Sequence, residues 1–204
     1  MKYAQTFIAS EQNDTQYQQQ AKKINSKIYK NTKNNADLDN RCGKEHLYRA
    51  KKAREDENKQ LETEETKLAA RNLIDSAEKY AKANAIIHDE EYNKYKNKHN
   101  TLGKEELVLR THDFSVIRQT PSNSKIISEE DAEKLDKYAD AEHNLYSSHT
   151  SLAYGDVQPE LDDVEEISEF TSRLKEQVEK KEREIAGKKH TKDIADLIDK
   201  FMTS

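Results

Sequence analysis

Two patterns in this sequence could support chemistry: a thiol close to an imidazole, and clusters of basic side chains. Cys42 and His46 are four residues apart, so in a helix they would share a face. Gly43 lies between them, and the chain has no Gly-rich phosphate loop, no Gly-x-Ser-x-Gly elbow and no His-Glu-x-x-His pair. Acidic pairs such as Glu129 with Glu133 occur on any acidic helix. We therefore expect no catalytic residue, no metal site, no cofactor and no small-molecule substrate.

Basic residues form two clusters that could contact phosphate groups. Each neutralised phosphate would add salt-sensitive affinity. A solvated helix face is the alternative for both clusters, and only the second is predicted to provide possible RNA backbone contacts. The first cluster surrounds Tyr29 and consists of Lys22, Lys23, Lys27, Lys30 and Lys33. The second cluster consists of Arg49, Lys51, Lys52 and Arg54.

The composition favours long solvated helices over a compact enzyme. Of the 204 residues, 37 % are charged and 33 % are hydrophobic, with only 4 Gly and 2 Pro. So little apolar surface is not expected to build the dense core around which an enzyme pocket forms. No run approaches the roughly 18 apolar residues that span a bilayer, so no membrane contact is expected. The single cysteine fits a reducing compartment.

The charge is unevenly distributed along the chain. Residues 1–60 contain 13 Lys and Arg against 8 Asp and Glu, whereas residues 121–170 contain 3 against 14. This asymmetry suggests two kinds of neighbour, one rich in phosphate and one basic. Solvated helix faces are again the alternative.

We predict an all-α, extended and non-globular array of long charged helices, with a docked loop and a partly disordered N-terminus. The Gln- and Asn-rich start is expected to be disordered or marginally helical, because such composition buries little surface. The predicted parts are 1–43 (the Gln/Asn-rich start), 44–100 (long charged helices), 101–144 (short helices), 145–163 (the docked loop) and 164–204 (amphipathic C-terminal helices).

The long charged helices follow from the absence of helix breakers. Residues 44–74 lack Gly and Pro and are predicted to form one helix, with a second helix over 75–98. The leucines of the first helix are so sparse that little core of its own is expected. A helix is also predicted over 104–119, and Ser128 is a predicted N-cap followed by three acidic residues at the positive end of the next helix.

The C-terminal part has the clearest helical periodicity. Apolar residues recur at alternating steps of three and four from Val164 to Ile185, and Gly187 is a plausible C-cap. A separate short amphipathic helix is predicted after Thr191. Three imperfect heptads are marginal for a free-standing coiled coil, so a partner surface is the favoured reading.

Several segments, taken in order, resemble the Syf-two splicing factor family, also called the GCIP-interacting proteins. The most specific is residues 174–181, LKEQVEKK, which resembles the family's Leu-Glu-Lys-Gln-Ile-Glu-Lys-Arg. Leu197 stands where the family has Tyr, and the Asn-Arg-Asn that usually follows is missing. The other similar segments are residues 50–54 (AKKAR), 102–118, the helix that starts at Ser128, the loop 151–159 (SLAYGDVQP) and 192–201 (KDIADLIDKF).

The resemblance implies a nuclear, non-enzymatic component of the NineTeen complex-associated part of the spliceosome. Such proteins lie as extended helices across a helical-repeat scaffold, a WD-repeat protein and other helical adaptors. Carried over by position, the partner-binding residues would be Leu152, Tyr154, Val164, Ile167, Leu174, Val178, Ile194, Leu197, Ile198 and Phe201. Replacing Leu174 and Val178 with Asp is accordingly expected to block assembly while leaving helix content nearly unchanged.

Two alternatives remain open at the sequence level. The first is a generic coiled-coil adaptor of the cytoskeleton or of vesicle traffic, which nuclear exclusion would favour. The second is a helical protein that binds RNA independently, which would show a steep salt dependence that is lost when the second basic cluster is neutralised.

Overall fold

The computed structural model describes the backbone of residues 2–88, 112–139 and 158–202, and side chains within 27–88, 112–139 and 158–188. Over these residues the chain is helical and contains no β-strand, which confirms the predicted all-α class. Four helices of more than one turn carry the fold. They are α1 (Lys2–Glu55), α2 (Lys59–His88), α4 (Glu129–Ala139) and α5 (Leu161–Met202). Between α2 and α4 lie the single helical turn α3 (Phe114–Ile117) and a 3₁₀ turn at Asn123–Lys125.

The first two helices form an antiparallel hairpin. Glu57 has a left-handed backbone with φ 56°, and its N–H donates to the Arg54 carbonyl at 3.2 Å. The Asn58 N–H donates to the Ala53 carbonyl at 2.8 Å, and these two bonds together make a Schellman motif that ends α1. Asn58 Oδ1 then accepts from the Leu61 N–H at 3.2 Å and caps α2. The prediction of one helix over 44–74 is therefore wrong, because the chain reverses at 56–58.

Small residues let the two helices of the hairpin approach closely. The Ser76 hydroxyl donates to the Ala36 carbonyl across the interface at 2.8 Å. A Cβ on Gly43 would lie 2.7 Å from Leu73 Cγ, so glycine is required there for contact. Buried alanines continue the seam at Ala36, Ala50, Ala53, Ala69, Ala70, Ala77 and Ala81.

The long helix α5 lies against this hairpin and runs antiparallel to α1. Near its start Asp162 accepts from Arg54 at 3.0 Å, and further along Glu182 lies 3.7 Å from Lys33. The helix is continuous from Leu161 to Met202. The predicted C-cap at Gly187 and the separate helix after Thr191 are therefore wrong, because an internal glycine costs only about 1 kcal/mol relative to alanine and does not by itself end a helix.

The short elements pack against α2 and α5. Ser128 caps α4 as predicted, since its hydroxyl accepts from the Asp131 N–H at 3.0 Å. Asp136 of α4 accepts from the Phe114 N–H at 2.7 Å and so also satisfies the start of α3. The buried Asn123 donates to the Ala81 carbonyl at 3.0 Å, which ties the 3₁₀ turn to α2. Of the predicted helix over 104–119, residues 104–111 lie outside the described residues.

One apolar core joins all of these elements, and α2 is its central helix. Leu73, Ile74 and Tyr80 of α2 are fully buried. From α5 the core takes Leu161, Val164, Ile167, Phe170, Leu174 and Val178. The expectation that the long charged helices have little core of their own is wrong, because alanine, which the prediction did not count, fills much of the interface.

The N-terminal segment is helical in its backbone from Lys2 onward, and the predicted boundary at 43/44 falls inside α1. At the other end, the predicted boundary at 163/164 falls inside α5. Residues 145–157 of the predicted loop lie outside the described residues.

Candidate functional site

The second basic cluster is largely neutralised within the chain. Arg49 pairs with Glu45 one turn earlier, and Lys51 lies 3.1 Å from Glu165 of α5. Lys52 is exposed on the solvent side of α1.

Arg54 has the most extensive pairing of the cluster. It donates to Glu62 at 2.7 Å and to Asp162 at 3.0 Å. These two hydrogen bonds raise its already high pKa. The predicted set of possible RNA backbone contacts is therefore divided: all four residues are exposed, Arg49, Lys51 and Arg54 pair with carboxylates of the chain, and Lys52 forms no ion pair among the described residues.

The first basic cluster also contributes to helix packing. Lys33 donates to Asp37 at 3.1 Å and lies 3.7 Å from Glu182. Lys27 and Lys30 are exposed, and the side chains of Lys22 and Lys23 lie outside those described.

Four of the predicted partner-binding residues are in the interior of the chain. Val164, Leu174 and Val178 are 0 % exposed, and Ile167 is 1 % exposed. Their face of α5 packs into the core of the chain itself, chiefly against α2. Contact with another protein through these four residues stays a prediction, and this packing does not support it. The periodicity correctly identified an apolar face but did not identify what covers it.

The other predicted partner-binding residues fall outside what can be described at side-chain level. Leu152 and Tyr154 lie outside the described residues. Ile194, Leu197, Ile198 and Phe201 belong to the helical backbone of α5. Their positions follow the steps i, i+3, i+4 and i+7, which place them along one side of that helix.

A half-buried charge cluster joins the three long helices at Asp37. Its carboxylate accepts from the Tyr80 hydroxyl at 2.5 Å and lies 3.4 Å from Lys175 Nζ. Burial raises the pKa of Asp37, but the hydrogen bonds from Tyr80 and Lys33 more than offset it, so the pKa lies below its usual value. The cluster therefore holds an ionised carboxylate where α1, α2 and α5 meet.

A second buried carboxylate lies on α2. Glu78 is 5 % exposed and accepts from Lys82 Nζ at 2.7 Å. His112 Nδ1 lies 2.7 Å from the other oxygen of Glu78. Burial alone would raise the pKa of Glu78, and the bond to His112 with the charge of Lys82 lowers it below its usual value. This group fixes the start of the 112–139 segment on α2.

Neither cluster has the arrangement of an active site. Cys42 is a partly buried free thiol, and His46 Nδ1 lies 2.6 Å from Glu65 of α2, which makes it an interhelix contact. Among the described residues, no group of three or more His, Cys, Asp or Glu side chains could hold a metal ion. The described helices also include none that is long and apolar enough to cross a membrane.

A cleft of about 230 Å³ lies between α4 and α5. Its floor is formed by Leu135, Ile167 and Phe170, which are almost fully buried. Its rim is charged, with Lys134 paired to Glu166 and with Arg173 above the ring of Phe170. The lining contains no Ser, Thr, Cys or His side chain.

The sequence analysis overlooked three residues of the solvent side of α1. Arg41, Lys44 and Tyr48 are exposed and follow one another toward Lys52 at helical spacing. Their i, i+3 and i+7 spacing is the signal that could have identified them, but they fall between the two basic clusters that the sequence predicts.

In comparisons of this chain with known proteins, no family model, no curated protein and no solved structure matches it.

Proposed function

We propose that this protein is a non-catalytic pre-mRNA splicing factor, a helical component of the NineTeen complex-associated part of the spliceosome that bridges and stabilises other subunits in the nucleus. The ordered resemblance to the Syf-two family supports this proposal, and the segment 174–181 is its most specific element. The partners would be a helical-repeat scaffold, a WD-repeat protein and other helical adaptors.

The observation that carries the proposal is the length of α5 beyond the core. Val178 is the last buried core residue among the described side chains, yet the helix runs on to Met202. At 1.5 Å per residue this is an extension of about 36 Å. Glu182 in its first part still lies 3.7 Å from Lys33 of α1, and the residues that follow, from Arg183 to Lys188, are all exposed.

The extension has the sequence pattern of a helix that docks on another helical protein. Ile194, Leu197, Ile198 and Phe201 share one side, and three of the four positions between them are charged. The buried half of α5 stabilises the chain itself, so bridging is assigned to this terminal half. The proposal therefore replaces the partner-facing role of Val164, Ile167, Leu174 and Val178.

The test is gentle affinity purification of the tagged full chain, with co-purifying proteins and RNAs identified together. We expect NineTeen-associated proteins and spliceosomal small nuclear RNAs. Recovery of cytoskeletal or membrane-traffic proteins without those RNAs would overturn the proposal in favour of a coiled-coil adaptor.

A pair of variants tests the assigned surface within the same experiment. Leu197→Gln with Phe201→Gln removes two apolar contacts worth about 1.5–3 kcal/mol each and should reduce recovery of the partners by about 100-fold or more. The control, Lys192→Gln with Asp199→Gln, alters the other side of the helix, keeps the net charge and should leave recovery unchanged. Equal recovery in both variants would exclude this face as the interface.

A further inference from the structure

Between residues 41 and 55, the solvent side of α1 carries three cations that pair with no acidic group among the described residues. Arg41, Lys44 and Lys52 are all exposed. Lys44 donates to the neutral Ser172 hydroxyl at 3.0 Å. This distinguishes them from Arg49, Lys51 and Arg54, whose charges are satisfied by carboxylates of the same chain.

An exposed aromatic ring lies among these cations. Tyr48 is 68 % exposed, more than any other large hydrophobic residue described as exposed. Arg41, Lys44, Tyr48 and Lys52 are separated by three, four and four residues, so they share one side of the helix over about 16 Å. We refer to these four residues as the α1 patch. Two acids border the patch: Glu45 pairs with Arg49, and the exposed Glu55 follows Lys52 by three residues. The three cations outnumber them, so the patch stays positive.

We propose that the α1 patch binds single-stranded nucleic acid, with the cations on successive phosphates and an unpaired base stacked on Tyr48. Unpaired cations supply affinity for a phosphate backbone because binding releases counterions. An exposed ring between such cations offers a stacking platform, which any base can use through its π-face. A tyrosine on a convex helix reaches a splayed base, whereas the bases of a duplex are already stacked.

The alternative occupant, an acidic segment of another protein, uses the cations but leaves the ring without a specific role. The proposed strand accounts for all four residues of the patch. This inference goes beyond the bridging function. It rests on the proposed function only where it takes the strand bound in the cell to be RNA rather than DNA. Failure of the patch to bind would leave the recovery of spliceosomal partners by α5 as a separate result.

The experiment measures fluorescence anisotropy of labelled oligouridine and oligothymidine with the purified full chain, over a range of salt concentrations. The patch variant is Arg41→Gln with Lys44→Gln and Lys52→Gln. Its matched control is Arg49→Gln with Lys51→Gln and Arg54→Gln, which removes the same charge from the same stretch of α1. Tyr48→Ala is compared with Tyr48→Phe, because phenylalanine keeps the stacking face.

We expect the patch variant to lower the slope of log K against log salt by about 2, since each contact to a single strand contributes about 0.7. The control should keep the wild-type slope. Tyr48→Ala should weaken binding by about 5- to 150-fold, and Tyr48→Phe should bind nearly as the wild type. Circular dichroism verifies folding. If the triple control loses helix content, the single variants Lys52→Gln and Arg49→Gln replace the two triples.

Three results would overturn the proposal. Absence of binding by the wild-type chain at low salt is the first. The second is an equal loss of slope in the patch variant and the control, which would indicate a diffuse charge effect. The third is tighter binding of a polyglutamate peptide than of either oligonucleotide, lost in the patch variant, which would assign the patch to an acidic protein partner.

Discussion

Glu57 occupies a backbone conformation that glycine adopts at lower cost. Its φ of 56° lies in the left-handed region, where an L side chain costs about 1–2 kcal/mol. The position is the C′ residue of the Schellman motif that ends α1, where glycine is the usual residue. Its side chain is exposed and no contact of it is needed for the turn. The hairpin therefore forms in spite of this residue.

Glu57→Gly is expected to raise the free energy of unfolding by about 0.5–1 kcal/mol, which is the strain relieved less the added entropy of the unfolded chain. Urea denaturation followed by circular dichroism measures the change as a higher midpoint at constant slope. Asp56→Gly is the matched control, because it also removes one acid at the end of α1. Its N–H donates to the Lys52 carbonyl in a helical turn, so this variant should lose stability. A gain in both would show that charge matters more than backbone conformation.

The ends of the helices show how far single residues could be predicted from the sequence. Ser128 was recognisable as a cap because three acids follow it, and the structure confirms the bond. Glu57 gave no such signal, since glutamate is a good helix former and neither Gly nor Pro marks the reversal. Asn58 was the one readable sign of a helix start, and it lies within a charged run that the prediction treated as continuous.

The middle of α5 is expected to be essential for folding of the isolated chain. Leu174 and Val178 are both 0 % exposed. One turn before Leu174, the Thr171 hydroxyl lies 3.2 Å from the Leu73 carbonyl, and between the two apolar residues Lys175 lies 3.4 Å from Asp37. Leu174→Asp with Val178→Asp would bury two unpaired carboxylates in this seam. The expected result is a loss of at least about 4 kcal/mol of stability and of much of the helix signal.

The control for this variant places two aspartates at the same spacing on the exposed side of α5. Glu176→Asp with Lys180→Asp changes the net charge by the same amount, and both positions are exposed. Thermal unfolding of this control should stay cooperative and close to the wild type. If the buried pair of substitutions instead preserved the wild-type transition, the apolar side of α5 would be free for a partner, as the sequence first indicated.

At the level of elements, the sequence identified faces better than it identified contacts. The three- and four-residue steps from Val164 onward predicted an apolar side, and that side is buried. Its partner could not be read from the pattern, because a helix of another protein and α2 offer the same kind of surface. Gly187 was given too much weight as a stop, since nothing after it prevents the helix from continuing to Met202.

The whole molecule is held together by small residues and by charges placed at helix junctions. Alanines and Gly43 bring α1 and α2 close enough for the Ser76 hydroxyl to reach the backbone of α1. A count of large apolar residues misses this contribution, because alanine packs backbone against backbone while adding little to hydropathy. That is why the charged composition suggested an extended array with little core, whereas the described residues share one core.

Two carboxylates make the stability of this core depend on pH. The pKa values of Asp37 and Glu78 both lie below their usual values of 3.8 and 4.5, in spite of burial, because Tyr80 and Lys33 bind the first and His112 and Lys82 bind the second. A lowered pKa in the folded state means that the unfolded chain binds protons more readily. The stabilisation is therefore complete when the pH is above the usual pKa values of these groups. It is lost as the pH falls through their lower pKa values in the folded state.

Stability is accordingly expected to fall as the pH drops below about 4.5, and both buried acids should contribute to the decline. Glu78→Gln and Asp37→Asn should each lower stability at neutral pH, because Lys82 and Lys33 lose their charged acceptors, and each should flatten the acid limb of the profile. Urea unfolding at a series of pH values measures the limb. Glu176→Gln at an exposed position serves as the control and should reproduce the wild-type slope. If both buried variants lost stability with falling pH as steeply as the wild type, acid would act on the chain through its overall charge. The ion pairs at Asp37 and Glu78 would then contribute no more to the pH dependence of stability than any surface pair.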